Sequence, residues 1–290
     1  LGYLYKNDLK NYEKAVYHLK IAVEKNPAEE DLHVAISEIL KNQNNDFQGA
    51  RLHLESAVQL KPDDAQYHLE LANLLSDKLK LYRESIIQYE KALTLNPKLV
   101  YLHSHIGIAM NNLGDHKEAV FHFKKYIQFY PDDALSFSNL AIFLSQNLGD
   151  NDEAESLIKK SIELDPNNAG YYHTLGFIKM ELKNYSEAIA QFEKSLDLDP
   201  EYINSYFDLG KIHYEVYKNC LLAKKNYEKV LELNPKMAEA HVNLGVLLSN
   251  CYSDHFGAKD HYETALRIDP NLEQANHNLK SLLERNLVNP

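Results

Sequence analysis

Hydrophobic and polar residues follow one another along the chain with the spacing of paired amphipathic helices. In residues 167–200, apolar and small side chains recur at helical spacing over 172–182, and the pattern restarts over 185–196. The second stretch ends at Asp199 and Pro200, because a residue that precedes a proline is disfavoured in the α-helical conformation. The pattern predicts a unit made of helix A, a tight turn and helix B, closed by a proline.

This unit repeats along the whole chain. Eight of the nine prolines stand 34 or 35 residues apart, at Pro27, Pro62, Pro97, Pro131, Pro166, Pro200, Pro235 and Pro270. A period of this length is typical of a solenoid of stacked two-helix units. We therefore expect an all-α chain with a partial repeat at residues 1–27, seven complete repeats at 28–270, each ending at one of the prolines from Pro62 onward, and a C-terminal capping helix and tail at 271–290.

The two ends of the chain and the lengths of the repeats lead to further predictions. Leu1 and Gly2 already occupy the middle of a helix A, so we expect the chain to be a fragment or a processed product. We expect the capping helix to cover residues 271–285, with the polar outer face that a solenoid needs, and residues 286–290 to fray. Five of the seven complete repeats have 35 residues, and we place the extra residue in the turn between helices A and B, where insertions cost little.

Three positions of each repeat hold a fixed type of residue. Helix A carries a Leu-Gly pair or a close variant, at 1–2, 36–37, 71–72, 106–107, 140–141, 175–176, 209–210 and 244–245. Helix B carries a small residue at Ala15, Ala50, Ser85, Ala119, Ala154, Ala188, Ala223 and Ala258. A large residue follows at Leu19, Leu54, Tyr89, Phe123, Ile158, Phe192, Tyr227 and Tyr262. This arrangement closely resembles the tetratricopeptide repeat over almost the whole chain. The resemblance implies a right-handed superhelical solenoid whose concave groove is built from helix A, and a function in protein–protein interaction.

Charge and hydropathy narrow the class of partner. The net charge of −11 argues against a nucleic-acid binder and favours a neutral or basic partner. The chain has no run of 18 apolar residues, so we expect no membrane span. Two cysteines, Cys220 and Cys251, fall in the A–B turns of neighbouring repeats. They are too few for a disulfide framework, and although the turns would bring them near each other, we expect two free thiols and a cytoplasmic location.

A ladder of histidines suggests a metal site at first sight. His33, His68 and His103 lie 35 residues apart, and His241 holds the equivalent position of another repeat. Equivalent residues of adjacent repeats are separated by about 10 Å, the distance of helix packing, and metal–nitrogen bonds are about 2 Å long. These histidines are therefore expected to pack between helices, and we predict no metal site.

The sequence offers no catalytic motif. It contains no Gly-rich phosphate loop, no nucleophile elbow and no His-Glu-x-x-His segment. Acidic clusters such as Asp132-Asp133 and residues 150–153 stand where helices begin, and their expected role is capping. We expect neither enzymatic activity nor a cofactor.

The resemblance identifies the positions of helix A that point into the concave groove. From these positions we select apolar anchors and polar groups that could bind a peptide: Asn73, Tyr101, His105, Ile108, Leu135, Asn139, Ile142, His173, Phe177, Phe207, Lys211 and Asn243. For any one of these residues, packing between neighbouring helices is an equally good explanation.

Several functions remain open at this point. Our main hypothesis is a scaffold that binds an extended or helical peptide segment in the groove. The basic positions of the carboxylate clamp of chaperone-binding relatives hold residues such as Leu69 and Ser104, so we expect no binding of chaperone tails. A partial asparagine series resembles the ladder in the repeat arm of protein O-linked glycosyltransferases, although residues such as Glu70 and Thr174 interrupt it. The alternative is therefore a substrate-recruiting arm of a larger enzyme, and self-association is a third possibility.

Overall fold

The computed structural model describes residues 1–285, and over this range the chain is all-α. The helices A are α1 (Gly2–Asn7), α3 (Glu30–Asn42), α5 (Ala65–Asn73), α7 (Leu102–Asn112), α9 (Ala134–Phe143), α11 (Ala169–Glu181), α13 (Ile203–Lys211) and α15 (Ala238–Tyr252). The helices B are α2 (Tyr12–Lys25), α4 (Phe47–Leu60), α6 (Tyr82–Leu95), α8 (His116–Phe129), α10 (Asn151–Leu164), α12 (Tyr185–Leu198), α14 (Cys220–Leu233) and α16 (His255–Ile268). A last helix, α17 (Glu273–Glu284), follows where the capping helix is predicted. Residues 286–290, predicted to fray, lie outside the described residues.

The chain divides into two compact units. The first unit, Leu1–Pro131, holds α1 to α8, and the second, which begins at Asp132, holds α9 to α17. Inside each unit, every helix A packs on the helix B of its own repeat, and that helix B packs on the helix A that follows. The alternation of helix and turn predicted from the sequence is thus confirmed within each unit.

The repeated small and large positions form the core of each helix pair. Every one of the eight small residues of helix B, from Ala15 to Ala258, has an exposed fraction of 0%. Gly176 shows why helix A needs a glycine, because a Cβ atom there would lie 2.7 Å from ring carbons of Phe192. Since that distance is far below a normal carbon–carbon contact of about 3.5–4.0 Å, the glycine lets the large side chain of helix B fit against helix A. The repeat register derived from the sequence is confirmed.

Short polar residues cap the N-termini of several helices. Asp150 accepts a hydrogen bond from the backbone N–H of Glu153 at 3.2 Å, and Asp64 accepts one from Gln66 at 2.8 Å. Such N-caps satisfy backbone donors that have no partner inside the helix. The predicted capping role is therefore confirmed for Asp150, and Asp133 caps α9 in the same way.

The extra residue of the longer repeats does not always lie in the A–B turn. In three of them the last turn of helix A widens to a π-helical turn, at Leu74–Lys78, Leu144–Leu148 and Ile212–Val216. A π-helical turn takes one more residue than an α-helical turn, so the insertion is absorbed inside helix A. The prediction that placed it in the turn is wrong for these repeats.

The two cysteines are bonded to each other, and the prediction of two free thiols is wrong. Cys220 is the first residue of α14, and Cys251 lies near the end of α15. Their Cα atoms are 6.3 Å apart and their sulfurs form a disulfide. Because α14 and α15 pack against each other, the end of one helix and the start of the other come within the span that a disulfide bridges.

Candidate functional site

Four of the predicted groove residues line one cavity of the second unit. The cavity has a volume of about 230 Å³. It is lined by Ile142, Gln146, His173, Thr174, Phe177, Asn204, Phe207 and Asp208. Ile142, His173, Phe177 and Phe207 belong to the predicted set, and they come from three successive helices A, α9, α11 and α13. The structure thus brings these four predicted residues together around one cavity.

The apolar wall of the cavity follows from helical spacing. His173 and Phe177 are one turn apart on α11, so their side chains lie on the same face of that helix. Phe207 stands on α13, and the centroid of its ring is 6.0 Å from that of Tyr227 in an edge-on arrangement. This contact holds one edge of the Phe207 ring against Tyr227. Phe177 and Ile142, which are both partly buried, complete the apolar surface of the cavity.

A buried carboxylate forms the polar part of the cavity. Asp208 has an exposed fraction of 9%. The Nε2 atom of His173 donates a hydrogen bond to Oδ2 of Asp208 at 3.1 Å, and the ring of His173 packs 5.4 Å from that of Phe192. The other carboxylate oxygen, Oδ1, lies 3.9 Å from Nζ of Lys211. Since a carboxylate accepts several hydrogen bonds, Asp208 keeps acceptor capacity for a ligand in the cavity.

The other predicted residues of the second unit do not line the cavity. Leu135 and Asn139 are exposed on α9. Lys211 stands next to the site through its contact with Asp208. Burial and the nearby Glu215 and Asp208 raise the pKa of Tyr227, and the neighbouring amide of Asn243 acts in the opposite direction. The side chain of Asn243 thus lies beside a tyrosine of the same chain.

The predicted residues of the first unit make contacts inside the protein. The hydroxyl of Tyr89 donates a hydrogen bond to Oδ1 of Asn73 at 2.8 Å. The ring of His105 lies 5.5 Å from that of Tyr89 and 5.8 Å from that of Tyr101. Ile108 is 50% exposed. Two cavities of this unit contain no predicted groove residue. One is lined by Glu55, Val58, Gln59, Leu71, Leu75, Glu84, Ile87 and Gln88, and the other by Lys6, Asn7, Tyr12, Glu38, Ile39, Asn42 and Gln43.

Sequence reasoning left four cavity-lining residues out of the predicted set: Gln146, Thr174, Asn204 and Asp208. Gln146 lies in a π-helical turn, which a count of α-helical positions cannot place. Asp208 stands 35 residues after His173, one residue beyond the 34-residue step between these two repeats. Pairing equivalent positions matches His173 with Phe207, so it does not find the contact between His173 and Asp208.

Within the described range 1–285, no group of three or more His, Cys, Asp and Glu side chains is placed to hold a metal ion. Of the helices in that range, none combines the length and the apolar character needed to span a bilayer.

Comparisons with known proteins agree with the helical pairs. Models of the tetratricopeptide repeat match residues 40–100, 105–133, 137–168, 157–190 and 178–216, together more than half of the chain. None of the curated proteins compared with the chain matches it.

Solved structures of repeat proteins share the fold at low identity. The C-terminal part of a TPR repeat-containing protein from Cytophaga hutchinsonii is 18% identical, with a TM-score of 0.65, over 84% of this chain and 98% of that one. A tetratricopeptide repeat protein from Parabacteroides merdae is 17% identical, with a TM-score of 0.65, over 88% and 98%. Yeast Tom70 is 17% identical, with a TM-score of 0.59, over 96% of this chain and 59% of its own. With the repeat register confirmed by packing and the family models matching along its length, the chain belongs to the tetratricopeptide repeat family.

Proposed function

We propose that the chain is a protein-interaction scaffold that binds a peptide segment of a partner protein on the helix-A side of its second unit. An apolar side chain of the segment enters the cavity formed by α9, α11 and α13. The observation that carries this proposal is the convergence of Ile142, Phe177 and Phe207 on one cavity beside the buried carboxylate of Asp208.

The size of the cavity supports a peptide as the ligand. At about 230 Å³, the cavity is smaller than the range of about 300–1,000 Å³ that is usual for small molecules and cofactors. It suits one side chain of a longer ligand whose remaining residues lie along the surface. Partly buried aromatic residues around a pocket are the usual anchors of protein interfaces, and Phe177 and Phe207 have this character.

The polar groups of the cavity define the chemistry of the partner. Asp208 accepts hydrogen bonds, and the amides of Gln146 and Asn204 both donate and accept them. A backbone N–H or a positively charged side chain next to the apolar anchor would satisfy Asp208. The net charge of −11 adds a general attraction for such a segment. We therefore expect a neutral or basic segment, extended or helical, with one large apolar residue.

The alternatives remain predictions. A substrate-recruiting arm of a larger enzyme would use the asparagine series, but Asn73 accepts a hydrogen bond from Tyr89 and Asn243 lies beside Tyr227. Self-association and a cytoplasmic location are likewise predictions, which light scattering and cell fractionation would test.

A comparative pull-down tests the proposal. The wild type, Phe177→Glu and the matched control Ile108→Glu would each be used as bait, with bound proteins identified by mass spectrometry. Phe177→Glu places a charge in the cavity, whereas Ile108→Glu places the same charge on an exposed helix-A position of the first unit. We expect Phe177→Glu to lose partners that Ile108→Glu retains, with unchanged circular dichroism. Retention of every partner by folded Phe177→Glu would contradict the proposal.

A further inference from the structure

Three pairs of histidines join helix A to helix B inside single repeats. The distance between the two Nδ1 atoms is 3.1 Å for His33 and His53, 3.0 Å for His103 and His122, and 2.9 Å for His241 and His261. The sequence prediction considered only the helix-A histidines and compared them between repeats. Their partners lie 19 or 20 residues further along the chain, so the relevant spacing is within a repeat.

The residue at the helix-B partner position varies with the residue at the helix-A position. The fourth helix-A histidine, His68, has Gln88 as its partner, with Nδ1 2.6 Å from the side-chain amide oxygen. In the repeats whose helix-A residue is Phe137, Tyr172 or Tyr206, the partner position holds Leu157, Gln191 and Asn226. Thus His53, His122 and His261, the helix-B histidines at the partner position, each face a helix-A histidine.

The distances suit two ligands of one metal ion. Zinc binds imidazole nitrogen at about 2.0–2.1 Å, almost always in tetrahedral geometry. Two ligand nitrogens at that bond length, separated by angles between 90° and the tetrahedral value, lie about 2.9–3.4 Å apart. The observed separations of 2.9–3.1 Å fall inside this span.

Hydrogen bonds on the far side of the ring direct a lone pair towards the partner. Nε2 of His241 donates to the backbone carbonyl of Pro235 at 3.1 Å. A proton on Nε2 leaves the lone pair on Nδ1, the atom that faces the partner ring. A histidine that binds a metal through one nitrogen usually donates its other N–H to such a carbonyl.

Nearby charges distinguish the three pairs. Asp254, Asp260 and Glu228 lie near His261 and favour a cation. Lys125 lies near His103 and opposes a cation there. The pair at His53 has both Lys20 and Asp46 in its surroundings.

We propose that His241 and His261 bind a divalent transition-metal ion such as Zn²⁺ or Ni²⁺ through their Nδ1 atoms, and that the two other histidine pairs are weaker sites of the same kind. Imidazole suits these ions, and water fills the other coordination positions. A bound ion would link α15 to α16. This proposal departs from the prediction of no metal site and is independent of the peptide-binding proposal.

Titration of the untagged chain with Zn²⁺ and Ni²⁺, after removal of metals with a chelator, tests the proposal. His261→Gln reproduces the natural pair of His68 with Gln88, so it keeps a polar contact and removes one ligand. We expect the affinity of the tightest site to fall at least about tenfold, the loss that follows even from removing an outer partner of a metal ligand. The control His277→Gln, on the exposed face of α17, should bind the metal as the wild type does.

A second measurement does not depend on the folding of a variant. Long-range ¹H–¹⁵N spectra of the wild type report the two ring nitrogens of each histidine separately. Addition of Zn²⁺ should shift the Nδ1 resonances of His241 and His261 before those of the other pairs. The absence of Zn²⁺ and Ni²⁺ binding, ligation through Nε2 only, or equal affinity in folded His261→Gln would overturn the proposal and leave the pairs as hydrogen bonds between helices.

Discussion

The two units use the same helix-A position in different ways. Asn73 in the first unit and Phe177 in the second occupy equivalent positions of their repeats. Asn73 is hydrogen-bonded to Tyr89, whereas Phe177 lines an open cavity. The register of a repeat therefore tells which way a side chain points, and the residues around it decide whether it is available to a partner.

The large residue of helix B explains this difference. In the repeat of Asn73 it is Tyr89, whose hydroxyl reaches across to Asn73. In the repeat of Phe177 the equivalent residue is Phe192, which has no hydroxyl and packs against Gly176 and His173. Phe192 therefore offers no hydrogen bond to a residue at the position of Phe177, and the apolar Phe177 faces the cavity.

The disulfide should give the largest difference in stability between the two units, because Cys220 and Cys251 both belong to the second unit. Reduction should lower the free energy of unfolding of the repeats around α14 and α15 by about 2–4 kcal/mol, since a crosslink restricts the unfolded chain. Thermal melts with and without reductant measure this loss. The melt of Cys220→Ala/Cys251→Ala should not respond to reductant, and an equal response from this control would contradict the prediction.

A larger residue at Gly176 tests the packing that the two units have in common. Gly176→Leu should cost about 1–3 kcal/mol, the usual penalty of an overpacked core, because its Cβ would contact the ring of Phe192. Gly107→Leu in the first unit should behave alike, since a Cβ there lies 2.6 Å from the ring of Phe123. Urea denaturation of both variants is the measurement, and unchanged stability of either would show that its repeat register is misassigned.

The hydrogen bond of Tyr89 gives the smallest predicted effect. Tyr89→Phe should lower the free energy of unfolding by about 0.5–1.5 kcal/mol, the net value of one hydrogen bond, and should free the amide of Asn73. Tyr17→Phe on an exposed face of the same unit is the control and should change stability by less than about 0.5 kcal/mol. Equal effects of the two substitutions in urea melts would show that the bond to Asn73 contributes nothing.

The fold can be predicted from the sequence because every repeat carries similar residue types at the same positions. Pro200 ends a helix and Gly176 accommodates Phe192 through local sterics, which a single repeat already reveals. The cavity is less predictable, since it depends on Gln146 in a π-helical turn and on the contact of Asp208 with His173 across two helices. The disulfide between Cys220 and Cys251 was not predicted for a related reason. It depends on the distance between the start of α14 and the end of α15, which only the packing of the two helices sets.

We propose that a partner contacts the cavity of the second unit and does not contact the helix-A face of the first unit. A photo-crosslinking phenylalanine derivative at position 177 or at position 101 tests it directly, because both positions already hold aromatic residues. After irradiation with the proteins recovered in the pull-down, position 177 should yield a crosslinked partner and position 101 should not. A crosslink from position 101 together with none from position 177 would contradict the account.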